Sequence, residues 1–134
     1  MGQTKVSAQW TGEALHYMGV AGNGNKVQMG GAEGIPPTHM MLLGLAGCMG
    51  MDILSILQKK RQTVTDVSVD IVGHNADEYP KPYEIVELAF AVKGENVSER
   101  AVERAIELSA ETYCIVGQTL QHKVELKTSF AVEA

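Results

Sequence analysis

The stretch Thr38–Arg61, THMMLLGLAGCMGMDILSILQKKR, decides how the rest of this sequence is read. Thr38 follows Pro36-Pro37 and suits an N-cap, while Lys59-Lys60-Arg61 suit the negative end of a helix dipole. The pattern predicts one helix. Apolar residues surround it rather than lining a single stripe, which predicts burial on nearly all sides. The apolar run from Met40 to Leu57 includes Asp52, Ser55 and three glycines and is at the short limit for crossing a bilayer, so a core helix is the better reading. Gly44, Gly47 and Gly50 are spaced by three and leave a small-residue groove. A glycine inside a helix costs up to about 1 kcal/mol against alanine. Three of them call for a packing reason, and a second copy of the helix is the natural candidate.

Outward from this helix the sequence alternates. Upstream, Val6, Ala8 and Trp10 follow a period of two within Lys5–Trp10, and Ala14–Val20 is a second strand. Gly22-Asn23-Gly24-Asn25 supplies a tight hairpin turn, with Lys26–Met29 returning. Downstream, Asp66–Val72 and Tyr83–Lys93 read as strands joined by a polar, proline-bearing loop over His74–Pro82. Ser98 caps a helix to about Glu111, with Arg100/Glu103 and Arg104/Glu107 paired on its outer side. Cys114 opens a short helical segment through Leu120, and Lys123–Val132 alternates as a last strand. The order ββ(β)–α–ββ–α–β predicts an α+β fold, in one domain over residues 1–134.

Composition narrows the function classes. The chain has 134 residues, 45% hydrophobic and 20% charged, with eleven Lys or Arg against sixteen Asp or Glu and a net charge of −5. No basic block is present, which disfavours a nucleic-acid partner. Two cysteines are too few for a secreted disulfide scaffold. The first residues contain no apolar signal region, and Val6 stands where a myristoylation pattern wants Ser or Thr. A cytoplasmic protein with reduced thiols, away from membranes, is expected.

Cys48 lies mid-helix, and Cys114 is 66 residues further on, which excludes a CxxC motif or half of a zinc finger. Both fit as small buried hydrophobes. Both also fit as a reacting thiol and its resolving partner, provided that one has a lowered pKa and the other lies close by. A helix interior lacks the favourable dipole of an N-terminus, so an activated Cys48 would need a cation beside it.

Pro36-Pro37-Thr38-His39-Met40-Met41-Leu42-Leu43-Gly44-Leu45-Ala46-Gly47-Cys48 resembles the helix of the OsmC/Ohr family that bears its reactive cysteine. Pro80-Lys81-Pro82-Tyr83-Glu84-Ile85 is similar to that family's loop-into-strand. Ala105–Ser109 with Tyr113-Cys114-Ile115-Val116 resembles the segment of its second cysteine. The ordered set covers about Pro36 to Leu120. The resemblance implies antiparallel sheets wrapped around a long central helix in an intertwined homodimer, with active sites lined by both subunits. It implies a thiol peroxidase in which Cys48 attacks an organic hydroperoxide, Cys114 resolves the sulfenic acid, and a dithiol restores the pair. No cofactor and no metal are called for.

The family holds its thiolate with an Arg from the N-terminal strands and a Glu at the helix start. Here the only arginines are Arg61, Arg100 and Arg104, and Thr38 and His39 stand where the Glu is expected. Glu33, His39 and Met51 are the candidate substrate-pocket residues. His39 is nine residues before Cys48, about 13 Å along a continuous helix. A Cys48/Cys114/His39 metal set is conceivable but disfavoured. Two functions follow: a hydroperoxide reductase of reduced activity, or a non-catalytic protein binding a hydrophobic small molecule in a dimer pocket.

Overall fold

The computed structural model describes residues 2–122 and 124–132. It divides into two compact units, Met1–Gly44 and Leu45–Ala134. In the first, β1 (Ser7–Trp10), β2 (Tyr17–Val20) and β3 (Lys26–Met29) form an antiparallel sheet in that order. The β2–β3 turn falls where the Gly/Asn run places it. Ala21 N donates to Asn25 O at 2.8 Å, and Gly24 takes a φ of 88° that a side chain would resist. The expected second strand, Ala14–Val20, starts late. Gly12 and Ala14 adopt positive φ, and Trp10 Nε1 donates to Ala14 O at 3.0 Å, so the chain turns there before pairing resumes.

The long helix α1 runs Pro37–Lys59. In the second unit its buried residues Leu45, Met49, Ile53 and Leu57 recur every fourth position and make one continuous ridge. The hairpin of β4 (Thr63–Asn75) and β5 (Tyr83–Glu95) presents a matching face, with Val67 opposite Val92, Val69 opposite Phe90 and Ile71 opposite Leu88. These are half-buried, while the intervening Ser68, Asp70 and Glu87 are exposed. β4 extends through His74 and Asn75, beyond the Val72 end that the alternation predicts, so the loop begins later. His74 Nε2 reaches Glu87 Oε1 at 2.9 Å across the hairpin, and Asn75 Nδ2 donates to Lys81 O at 2.8 Å.

Ser98 caps α2 (Glu99–Leu108), its Oγ accepting from Ala101 N at 3.2 Å. Ala105 of α2 is fully buried with Ile53 and Leu57, and Phe90, Val92 and Ile106 pack against them. That packing is the reason α1 is a core helix in this unit. A π-helical turn, Ser109–Tyr113, follows α2, and α3 (Ile115–Gln121) ends the regular structure. The fold is α+β, with antiparallel sheets and one long helix.

Within the chain α1 keeps an open side: Met41 and Met51 are exposed, and a side chain added at Gly44 or Gly47 would meet open space. The helix has one buried ridge because the hairpin and α2 cover only that side. One expectation is corrected: among the described residues the last strand is absent as a paired element. Lys123 lies outside the described residues, and residues 124–132 are irregular, with Leu126 and Phe130 exposed. A strand needs a ladder partner, and β4 and β5 pair only with each other in their two-stranded sheet.

Candidate active site

Cys48 and Asp52 stand one helical turn apart on α1, beside the buried Leu45–Leu57 ridge, and both are half-buried. Cys114 arrives from the other end of the second unit. After α2 the chain widens by one residue per turn: Cys114 N donates to Ser109 O at 2.9 Å, five residues back. π-turns of this kind redirect a helix end and recur at functional sites. The Ala110 carbonyl within it accepts from Gln118 Nε2 at 3.0 Å and Gln121 Nε2 at 3.3 Å, which keeps the widened turn satisfied. Cys114 then takes extended backbone and caps α3, its Sγ accepting from Gly117 N at 3.3 Å.

The result is a compact group. One donor atom each from Cys48, Asp52 and Cys114 lies within 4.8 Å of the other two. Cys114 is fully buried among Leu45 and Met49, whereas Cys48 retains access to solvent. Closing the two sulfurs to the about 2.05 Å of a disulfide is a movement of less than about 3 Å. Ser109, also fully buried, donates its Oγ to Asp52 Oδ2 at 2.9 Å and fixes that carboxylate.

The electrostatics run against a thiolate at Cys114. Burial first, then the neighbouring Cys48 thiol, push Cys114 up to about 11, with the Asp52 charge adding to this and the Gly117 N–H pulling the other way. None of these influences is a cation. Arg104 is engaged with Glu107 at 3.3 Å on α2, and Arg61 and Arg100 are exposed. Of the candidate pocket residues, Glu33 and His39 are exposed in the first unit, and Met51 is 75% exposed on α1. Met51 lies on the same helix as Cys48 and Asp52, one residue before Asp52, with its side chain exposed.

Residues 30–129 match the family model described as OsmC-like protein. This chain belongs to the OsmC-like family. The matched span contains α1, the β4–β5 hairpin and both cysteines. Over 133 residues the chain is 36% identical to Protein YhfA of Escherichia coli K12, covering 97% of this chain and 98% of that one. A crystal structure of a hypothetical protein from Aquifex aeolicus VF5 is similar at a TM-score of 0.79 and 31% identity, over 90% of this chain and 89% of that one. An OsmC-like hydroperoxide resistance protein from Jannaschia sp. CCS1 shares the fold at a TM-score of 0.60 and 20% identity, over 87% of this chain and 83% of that one. Asp52 and its hydrogen-bond partner Ser109 are not singled out by the sequence of this OsmC-like chain. Asp52 was legible as the residue one turn beyond Cys48. Ser109 carried no local signal, because its role depends on the π-turn that aims it.

Proposed function

We propose that this OsmC-like protein reduces organic hydroperoxides with Cys48 as the attacking thiol and Cys114 as the resolving one. The observation that carries the reading is the close approach of the two sulfurs, within 4.8 Å, with the solvent-reachable one on α1. Cys48, as thiolate, attacks the outer peroxide oxygen; the O–O bond breaks, the alkoxide takes a proton and leaves as an alcohol, and Cys48 becomes a sulfenic acid. The Cys114 thiolate attacks the sulfenic sulfur, the disulfide forms, and hydroxide leaves as water after taking a proton. The peroxide gains two electrons and the cysteine pair loses them. A dithiol returns them by exchange. Free thiols at rest fit a reducing compartment such as the cytoplasm. The test is one equivalent of an alkyl hydroperoxide followed by thiol counting and intact mass. Loss of both thiols into an intramolecular disulfide is expected.

With no Arg before Arg61, turnover is expected to be slower than in relatives possessing the Arg/Glu clamp. The resolving step is the pH-sensitive one. A thiol near 11 is protonated at neutral pH, and its thiolate fraction rises about tenfold per pH unit below that value. The decay of the sulfenic acid into disulfide, followed after a single peroxide pulse from pH 7 to 9, is expected to accelerate accordingly. A flat profile would show that Cys114 does not resolve Cys48.

The reading includes a homodimer. Gly44, Gly47 and Met51 share the open side of α1 next to Cys48, and a second copy of the helix is the partner that a glycine groove admits. An interface above about 1,000 Å² is expected. Sedimentation at low micromolar concentration checks this, and a folded monomer there would overturn it.

One observation favours a second reading. In the first unit an apolar cavity of about 330 Å³ is lined by Val6, Ala8, Val20, Val27, Met29 and Met40. That size suits a small hydrophobic ligand. Binding such a ligand is the sole function in the second reading, in which the thiols are inert.

A further inference from the structure

The Cys48–Asp52–Cys114 group has a composition that peroxide chemistry alone does not require. A reacting thiol and a resolving thiol need each other; neither needs a carboxylate, and an anion beside them opposes thiolate formation. Asp52 is nonetheless held in place by the fully buried Ser109 hydroxyl at 2.9 Å, one turn from Cys48 and facing the same point as both sulfurs. Two sulfurs and one carboxylate oxygen converging within 4.8 Å are a metal-ligand set by number, type and distance.

We propose that the reduced protein binds one thiophilic divalent cation, of the zinc class, through Cys48 Sγ, Cys114 Sγ and an Asp52 carboxylate oxygen. Bonds of about 2.3 Å to sulfur and about 2.0–2.2 Å to oxygen set tetrahedral donors about 3.5–3.8 Å apart. Donors already within 4.8 Å reach that spacing by small side-chain adjustments. Thiolate ligands select zinc or cadmium over magnesium and calcium, which demand oxygen. The Ser109 hydroxyl orients the liganding carboxylate, as a supporting hydrogen bond does in metal centres. Three protein donors leave a fourth position open on the side where Cys48 and Asp52 meet solvent. Binding involves no electron transfer: the cation displaces the two thiol protons to solvent, and the thiolates and carboxylate become its ligands. Oxidation of the pair to a disulfide removes two of the three donors, so the cation and the disulfide exclude each other.

The experiment uses the full, reduced chain under anaerobic conditions, titrated with Cd²⁺ as a spectroscopic probe and then competed with Zn²⁺. The expected result is one Cd²⁺ per chain, a sulfur-to-metal charge-transfer band in the ultraviolet, displacement by Zn²⁺, and no response to Mg²⁺. Cys48→Ser, at a half-buried position, is expected to remove about half of the band. Asp52→Asn keeps an acceptor for Ser109 and is expected to retain the band while weakening affinity at least about tenfold. Absence of the band, or a Cys48→Ser variant binding as tightly as the parent, overturns the site. Equal affinity in Asp52→Asn overturns the three-donor set. No peroxide is present, so the outcome is independent of whether the thiols turn over.

Discussion

Replacing Cys48 with serine is expected to abolish peroxide consumption, while replacing Cys114 leaves a single turnover that stalls at the Cys48 sulfenic acid. The asymmetry follows from position. Cys48 is the sulfur that a peroxide can reach, and Cys114 is sealed beneath Leu45 and Met49. A serine hydroxyl at position 48 has no accessible anion at neutral pH and so no nucleophile. At position 114 serine keeps a side-chain acceptor for the Gly117 N–H at the N-cap of α3, and Cys114→Ala, which removes it, is the companion variant that separates chemistry from folding. Intact mass after one equivalent of hydroperoxide is the readout: no addition for Cys48→Ser, and one oxygen atom, trapped by a sulfenic-acid reagent, for the Cys114 variants. If both thiols of the unaltered chain survive the same treatment, the protein is a binder of hydrophobic molecules and its cysteines serve other ends.

Truncating Leu57 to alanine is the second large effect. Leu57 is fully buried at the foot of the α1 ridge, in the cluster shared with Ile53 and Ala105. Phe90, Val92 and Ile106 approach from the hairpin and α2, elements too constrained by their own pairing to collapse into the space. A buried Leu→Ala change of this kind costs about 2–5 kcal/mol, a large share of the about 5–15 kcal/mol that holds a domain together. Chemical denaturation at fixed protein concentration measures it. The concentration must be held constant because any dimer contributes to the apparent stability. An effect below about 1 kcal/mol would mean that the ridge does not carry the second unit's core.

Recognition of the family came from short ordered runs around Pro36–Cys48, Pro80–Ile85 and Tyr113–Val116, and the family match over residues 30–129 bears it out. What those runs did not convey was the immediate environment of the sulfurs. In the sequence Asp52 reads only as a charge that argues against a membrane span. Its meaning changes once Cys114 is seen to approach the same side of α1.

Local signals in the sequence determined the elements. A cap at Ser98, the Gly24 turn, the apolar run of α1 and the alternation of β4 and β5 each depend on residues a few positions apart. Tertiary structure alone decided which sulfur is buried, that Asp52 and Ser109 meet beside the cysteines, and that α1 keeps one side open. It also decided the fate of 124–132, whose alternating pattern is that of a strand but which has no ladder beside it. Each of these depends on loop closures and packing between segments tens of residues apart. Periodicity says which residues seek a partner; only the folded chain determines which partner each one meets.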